Sequence, residues 1–217
     1  MNRKILISLF VIGILALSIG WGTRSLFNDT ETSSGNTFTA GTLDLKVNDN
    51  DDPNVVHVEI GPIYPGWGTG TEWGRGTYTW ILKNVGNLPG LLWIEVTPMI
   101  NRENGFEEPE KNAPGEDGTN TGELGAYILV AKLNIYDGNT RLRIGSPDGP
   151  EFKHGTYYLN YLGGLKLYAP SGSDLGILDP GEDEEFCLVL SLDGNVGNCI
   201  QGDSVEFDII FHLDQIP

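Results

Sequence analysis

The chain has 217 residues and carries 13 Lys and Arg against 30 Asp and Glu, a formal charge of -17. So acidic a chain has little with which to neutralise phosphates, and this balance excludes non-specific nucleic-acid binding. Charged residues at 20% are too few for a disordered polyelectrolyte and hydrophobic ones at 39% suffice for a core, while 30 glycines and 12 prolines predict many turns and few long helices.

Met1–Lys4 is short and basic, Ile5–Gly20 is uninterruptedly apolar, and Thr23 and Ser25 are small residues two apart. This is the pattern of a secretory signal peptide, residues 1–25, cut by signal peptidase after Ser25. The rival reading is a retained anchor, because Ile5–Gly22 is just long enough to cross a bilayer. Membrane contact would then run only through that uncleaved segment. Cleavage removes Arg3, Lys4 and Arg24 and no acid, so the mature chain is more acidic still.

Residues 26–41 form a second region. Leu26, Phe27 and Phe38 are separated by a polar run rich in Thr and Ser. Such a segment has too few apolar contacts to fold on itself. It is either a flexible tail or a strand that pairs with something else. Asn28-Asp29-Thr30 is the one N-x-[ST] sequence in the chain, which makes Asn28 a candidate glycosylation acceptor.

Residues 42–217 read as one domain. Leu43, Leu45 and Val47 alternate with polar residues, and strands follow at Val55–Ile60, Thr77–Asn84, Leu91–Thr97, Tyr127–Tyr136, Thr140–Ile144 and Leu165–Tyr168. Phe186, Leu188, Leu190 and Leu192 alternate, and Val205, Phe207, Ile209, Phe211 and Leu213 give the clearest period of two. Asp-Gly and Pro-Gly turns separate these runs. Pro109–Gly125 reads as loop, and Tyr157–Leu162 as one or two helical turns. Short strands with close turns predict an all-β antiparallel sandwich.

Little catalytic chemistry is visible. His57, His154 and His212 lack the spacing of a zinc-protease helix, and no G-x-S-x-G elbow or phosphate-binding loop occurs. Strands rather than a helix flank the glycine-rich run Gly66–Gly76, so it reads as a structural loop, or as a ligand contact through Trp67 and Trp73. Asp49, Asp51 and Asp52 form a partial oxygen cage for a structural calcium, without the closing Glu of an EF-hand. The alternative for these acids, and for Glu182–Glu185, is a solvated acidic edge that discourages unwanted sheet pairing. No other cofactor is expected. Cys187 and Cys199 are the two cysteines of a chain expected to be exported. They form either a disulfide, which would close a loop of about 13 residues and contribute roughly 3 kcal/mol, or two buried thiols.

The stretches Phe27–Thr32 and Asn36–Leu45 closely resemble the start of mature TasA/camelysin-type proteins. Lys83–Gly90 resembles the family's K-N-x-G-x-L-P turn. Gly197–Ser204, with Phe207–Ile209 and Gln215, resembles the C-terminal pattern of its archaeal branch. The resemblance implies a jelly-roll sandwich that polymerises into extracellular fibres, such as biofilm matrix fibres or bundling pili. Its partner is a further copy of itself, joined head to tail. The implied device is donor-strand complementation by Leu26–Phe38, with Leu26, Phe27 and Phe38 as apolar plugs. It also implies two rivals to a non-enzymatic subunit. One is a camelysin-like surface metalloendopeptidase. The other, drawn from the aromatic loop, is a monomeric surface binding module for glycans.

Overall fold

The computed structural model describes residues 41–68, 76–105, 108, 110–114, 122–135, 140–172 and 176–216, together with residue 3. The chain divides into two units, Met1–Ala40 and Gly41–Pro217. The expected signal peptide, the candidate acceptor Asn28, and the plugs Leu26, Phe27 and Phe38 lie outside the described residues.

Gly41–Pro217 is an antiparallel β-sandwich. Its strands are β1 Leu45–Val47, β2 Val55–Ile60, β3 Thr77–Asn84, β4 Gly90–Val96, β5 Ile100–Arg102, β6 Ile128–Ile135, β7 Thr140–Arg141, β8 Arg143–Ile144, β9 Lys166–Tyr168, β10 Ile177–Leu178, β11 Asp183–Leu192 and β12 Ser204–Gln215. One sheet runs β1-β3-β11-β6-β7. The other runs β2-β12-β4-β9-β8, with β5 beside β12 and β10 beside β4. Every pairing is antiparallel.

Period-two alternation decides which side chains meet between the sheets. In β12, Val205, Phe207, Ile209 and Phe211 are buried, while Glu206, Asp208, Ile210 and His212 are half-exposed on the other face. Trp80 of β3, Phe186 of β11 and Phe211 of β12 join the sheets. Their ring centroids are 5.6, 6.2 and 5.7 Å apart, with Phe186 edge-on to Phe211. Burying each such ring stabilises by roughly 1.5–3 kcal/mol, and aromatic pairing adds roughly 0.5–1.5 kcal/mol.

β6 breaks its own alternation. Ile128 and Val130 enter the core, and so do Leu133 and Ile135, three residues on rather than two. A bulge absorbs the extra residue: Leu190 pairs with Val130 and Leu188 with Leu133, two steps on β11 against three on β6.

The sequence-expected strand Thr140–Ile144 is two strands in different sheets. β7 pairs with β6, and β8 pairs with β9. The fully buried Leu142 lies at the crossing. Pro109–Gly125 is not all loop, since it holds a 3-10 turn at Glu110–Asn112 and the start of α1, Leu124–Tyr127. The helical turn expected within Tyr157–Leu162 is a 3-10 turn at Leu159–Leu162.

The bridge expected between Cys187 and Cys199 is not formed; both are buried thiols. The pleat explains it. Cys187 alternates with Phe186 and Leu188, which enter the core, so it lies on the opposite face of β11. Cys199, in a 3-10 turn at Asn198–Ile200, belongs to the core cluster itself.

Candidate functional site at the root of the N-terminal segment

Thr42–Asp44 is the point at which the N-terminal region enters the sandwich, and the β3–β4 loop holds it. Val85 N–H donates to the Asp44 carbonyl at 2.8 Å. Asn87 and Leu88 N–H both donate to the Thr42 carbonyl, at 2.9 and 3.1 Å. Asn87 Oδ1 accepts from Thr42 N–H at 2.6 Å. Gly86 is required here by close approach, because a Cβ on it would lie 2.4 Å from the Thr42 carbonyl oxygen.

Asn84, fully buried, sets the shape of that loop. Its amide donates to the carbonyls of Leu88 (2.7 Å) and Leu178 (2.9 Å), and its Oδ1 accepts from Gly86 N–H (2.9 Å). The Lys83–Gly90 motif is therefore a clamp on the root of the N-terminal segment. The sequence displayed these residues without displaying what they hold.

Beside the clamp the sandwich has an open seam. β2 covers β12 only from Val205 to Ile210. Phe211 N–H still reaches the Asn54 carbonyl at 2.9 Å, but among the described residues no strand pairs with Leu213–Gln215 on that side. Across the seam, β1 pairs with β3 on one edge, and among the described residues its other edge carries only the Val47–Asn50 bridge. A cavity of about 170 Å³ lies between them, lined by Leu43, Asp44, Leu45, Asp52, Asn54 and Leu213. Asn54 Oδ1 is buried there with no hydrogen-bond partner. Sequence reading missed Asn54 and the role of Leu213. The signal was a mismatch of length, a six-residue β2 against a twelve-residue β12.

The calcium candidates Asp49, Asp51 and Asp52 do not converge on a point. Asn48 and Asp49 form a two-residue hairpin turn with φ of 51° and 63°, closed by Val47–Asn50 bonds of 3.1 and 3.0 Å. Asp51 turns back to Lys46 at 3.2 Å, and Asp52 lines the seam. Among the described residues, the group whose metal-capable atoms converge is Glu103, Glu123 and Asp203, within 4.8 Å of one another. Asp203 is fully buried and accepts from Glu123 and Leu124 N–H at 2.6 and 3.2 Å.

The acidic run Glu182–Glu185 is not wholly solvated. Asp183 and Glu185 face water, whereas Glu184 turns inward, 5% exposed, and accepts from Gly176 N–H at 3.0 Å. Burial raises its pKa, and nearby Glu182 adds to the rise. Trp67, read as part of a structural loop or else as a ligand contact, is buried in the core, and Trp73 lies outside the described residues.

The histidines are scattered. His57 Nδ1 lies 2.8 Å from Asp208 Oδ1 on the outer face of β2–β12, and that hydrogen bond raises its pKa. His212 stacks face to face on Trp93 with centroids 3.7 Å apart, and burial lowers its pKa. His154 Nε2 lies 2.7 Å from Asn134 Oδ1 in the other sheet, its pKa also lowered by burial. A peptidase zinc is held by nitrogen ligands with a carboxylate. Among the described residues the convergent group is all carboxylate, so the residues present do not fit that metal.

No curated protein matches the chain. The family model described as camelysin metallo-endopeptidase matches residues 1–69, a span that takes in the clamped root and β1. Over that N-terminal region the chain is similar to the camelysin family.

Proposed function

We propose that this chain is a secreted, non-enzymatic subunit that polymerises head to tail into extracellular fibres. The segment Leu26–Phe38 of one copy adds as a strand at the seam of the next. TasA/camelysin-type proteins are secreted, surface-associated proteins, and the N-terminal match to that family supports the export. The observation that supports the reading is the seam, where, among the described residues, strand edges on both sheets have no strand partner beside the clamp on the chain's own N-terminal root.

The physical case is one of matched deficits. Among the described residues the seam has backbone without a strand partner and an Asn54 Oδ1 without a hydrogen bond, and the sequence of Leu26–Phe38 would supply a strand with apolar plugs. Strand addition satisfies main-chain groups on both. From residue 26 to residue 40 a fully extended chain reaches about 50 Å, enough to leave its own body. Because donor and acceptor surfaces differ, the contact is heterologous and generates an open filament. Asp44 and Asp52 at the seam place charge beside the open edge, which disfavours indiscriminate pairing.

Electron microscopy of the mature chain tests this. Deleting Leu26–Asn36 should leave a folded monomer that forms no fibres yet accepts a donor, and Phe27→Asp should abolish donation in the same way. Leu213→Lys should spare donation and block acceptance. Normal fibres from the deletion variant would refute strand donation. Normal fibres from Leu213→Lys alone would refute the seam while leaving polymerisation intact. Peptide cleavage that is lost on replacing His57, His154 or His212 by Ala would instead favour the peptidase.

A further inference from the structure

A second cavity, of about 310 Å³, lies beside β6 and β11, lined by Tyr127, Leu129, Tyr158, Ser191, Asp193 and Gly194. Its floor follows from register. Ser191 pairs with Leu129, and Leu129 bridges to Tyr158, so these three side chains form one row across the sheet. Leu190 and Leu192 on either side of Ser191 enter the core, as do Ile128 and Val130 on either side of Leu129. The row therefore lies on the sheet's outer face. Leu192 pairs with Ile128, which brings Asp193 and Tyr127, the next residues along, to the same end of the sheet.

Three features of this cavity are chemical. Tyr158 keeps a large ring 53% exposed beside it. The Asp193 carboxylate is fixed by its own turn, because Oδ1 accepts both from Asn195 N–H at 2.8 Å and from Asn195 Nδ2 at 3.0 Å. Among the described residues none that lines the cavity is basic, on a chain of net charge -17. Aromatic faces with one held carboxylate and no cation attract a positive ligand and repel an anion. The size suits a small molecule or one side chain, bordered by apolar walls and a few fixed polar groups.

We infer that the cavity formed by Tyr127, Leu129, Tyr158, Ser191 and Asp193 binds a compact organic ammonium ion. The apolar body of the ligand rests against Leu129 and the tyrosines, and its charge faces Asp193. A lysine side chain of a peptide and a choline-type headgroup share this chemistry. The inference is independent of strand donation, since the cavity uses none of the seam residues.

The test titrates the whole chain with choline, with Nα-acetyl-lysine amide, and with 3,3-dimethylbutan-1-ol, the uncharged isostere of choline. Backbone NMR shifts are the readout. At least one of the two cations should shift Leu129, Tyr158 and residues 191–194, and the isostere should bind on the order of tenfold more weakly. Which cation binds tighter identifies the source. Asp193→Asn retains the turn and removes the charge, and should weaken the cation about tenfold. Tyr158→Ala, at an exposed position, should do likewise. Equal binding of the isostere, an Asp193→Asn variant as tight as the parent, binding of a neutral oligosaccharide in place of the cations, or no shifts at these residues would each overturn the inference.

Discussion

Cys187 lies on the outer face of β11, whereas Cys199 sits in a separate 3-10 turn and belongs to the core. A bridge between them would have to connect that outer face with the core. Burial also raises the Cys187 pKa, with Glu185 adding to the rise against Lys132, and so disfavours the reactive thiolate. Mass spectrometry of native, non-reduced protein should show a mass unchanged by reductant. Alkylation should be slow in buffer and complete at both sites in denaturant. A mass two hydrogens lower that reduction restores would contradict the arrangement of β11.

Glu184 gives the fold a pH dependence of definite sign. Its folded-state pKa is raised by burial. Between the unfolded and folded pKa values the native chain therefore binds more protons, and stability falls as pH rises through that window. Glu184→Gln keeps an acceptor for Gly176 N–H and removes the charge. It should raise Tm at pH 7 by on the order of 2–4 °C and change it little near pH 4. Calorimetry at both pH values decides; an equal gain at each would mean that charge burial is not the cause.

The outer face of β2–β12–β4 carries two histidines that titrate in opposite directions from the ordinary value. His57, bonded to Asp208, is raised, and His212, pressed on Trp93, is lowered. NMR titration should find His57 protonating first as pH falls and His212 later, with Asp208→Asn removing most of the rise at His57. The His57 contribution to stability is present below the unfolded histidine pKa and is lost as pH rises through its folded one. Trp93 emission should change with the His212 step and not with the His57 step, since His212 stacks on it at 3.7 Å.

Asn84 should prove among the costliest single positions. Asn84→Ala strands the carbonyls of Leu88 and Leu178 and the N–H of Gly86 in a buried place. The loss should be about 3 kcal/mol in denaturant unfolding, with faster proteolysis around Thr42 as the clamp loosens. Asn84→Asp should recover the bond from Gly86 N–H alone. A variant as stable as the parent would show that the β3–β4 loop holds its shape by other means.

The alternation in β11, β12 and β3 was legible because period two is a local property of the chain, and it determined by itself the all-β class, most strands and most of the core. The acidic balance and the apolar leader are likewise properties of composition and order. What the tertiary structure decided has a common physical cause, the pairing of residues far apart in sequence. The bulge in β6 appears only against β11, and the change of sheet at Leu142 only when β7 and β8 find separate partners. Glu184 reads as one of four exposed acids until the pleat turns it inward. The two cysteines read as a pair until the same pleat parts them. The seam exists because β2 is shorter than β12, a difference that becomes an unpaired edge only once the two strands lie side by side.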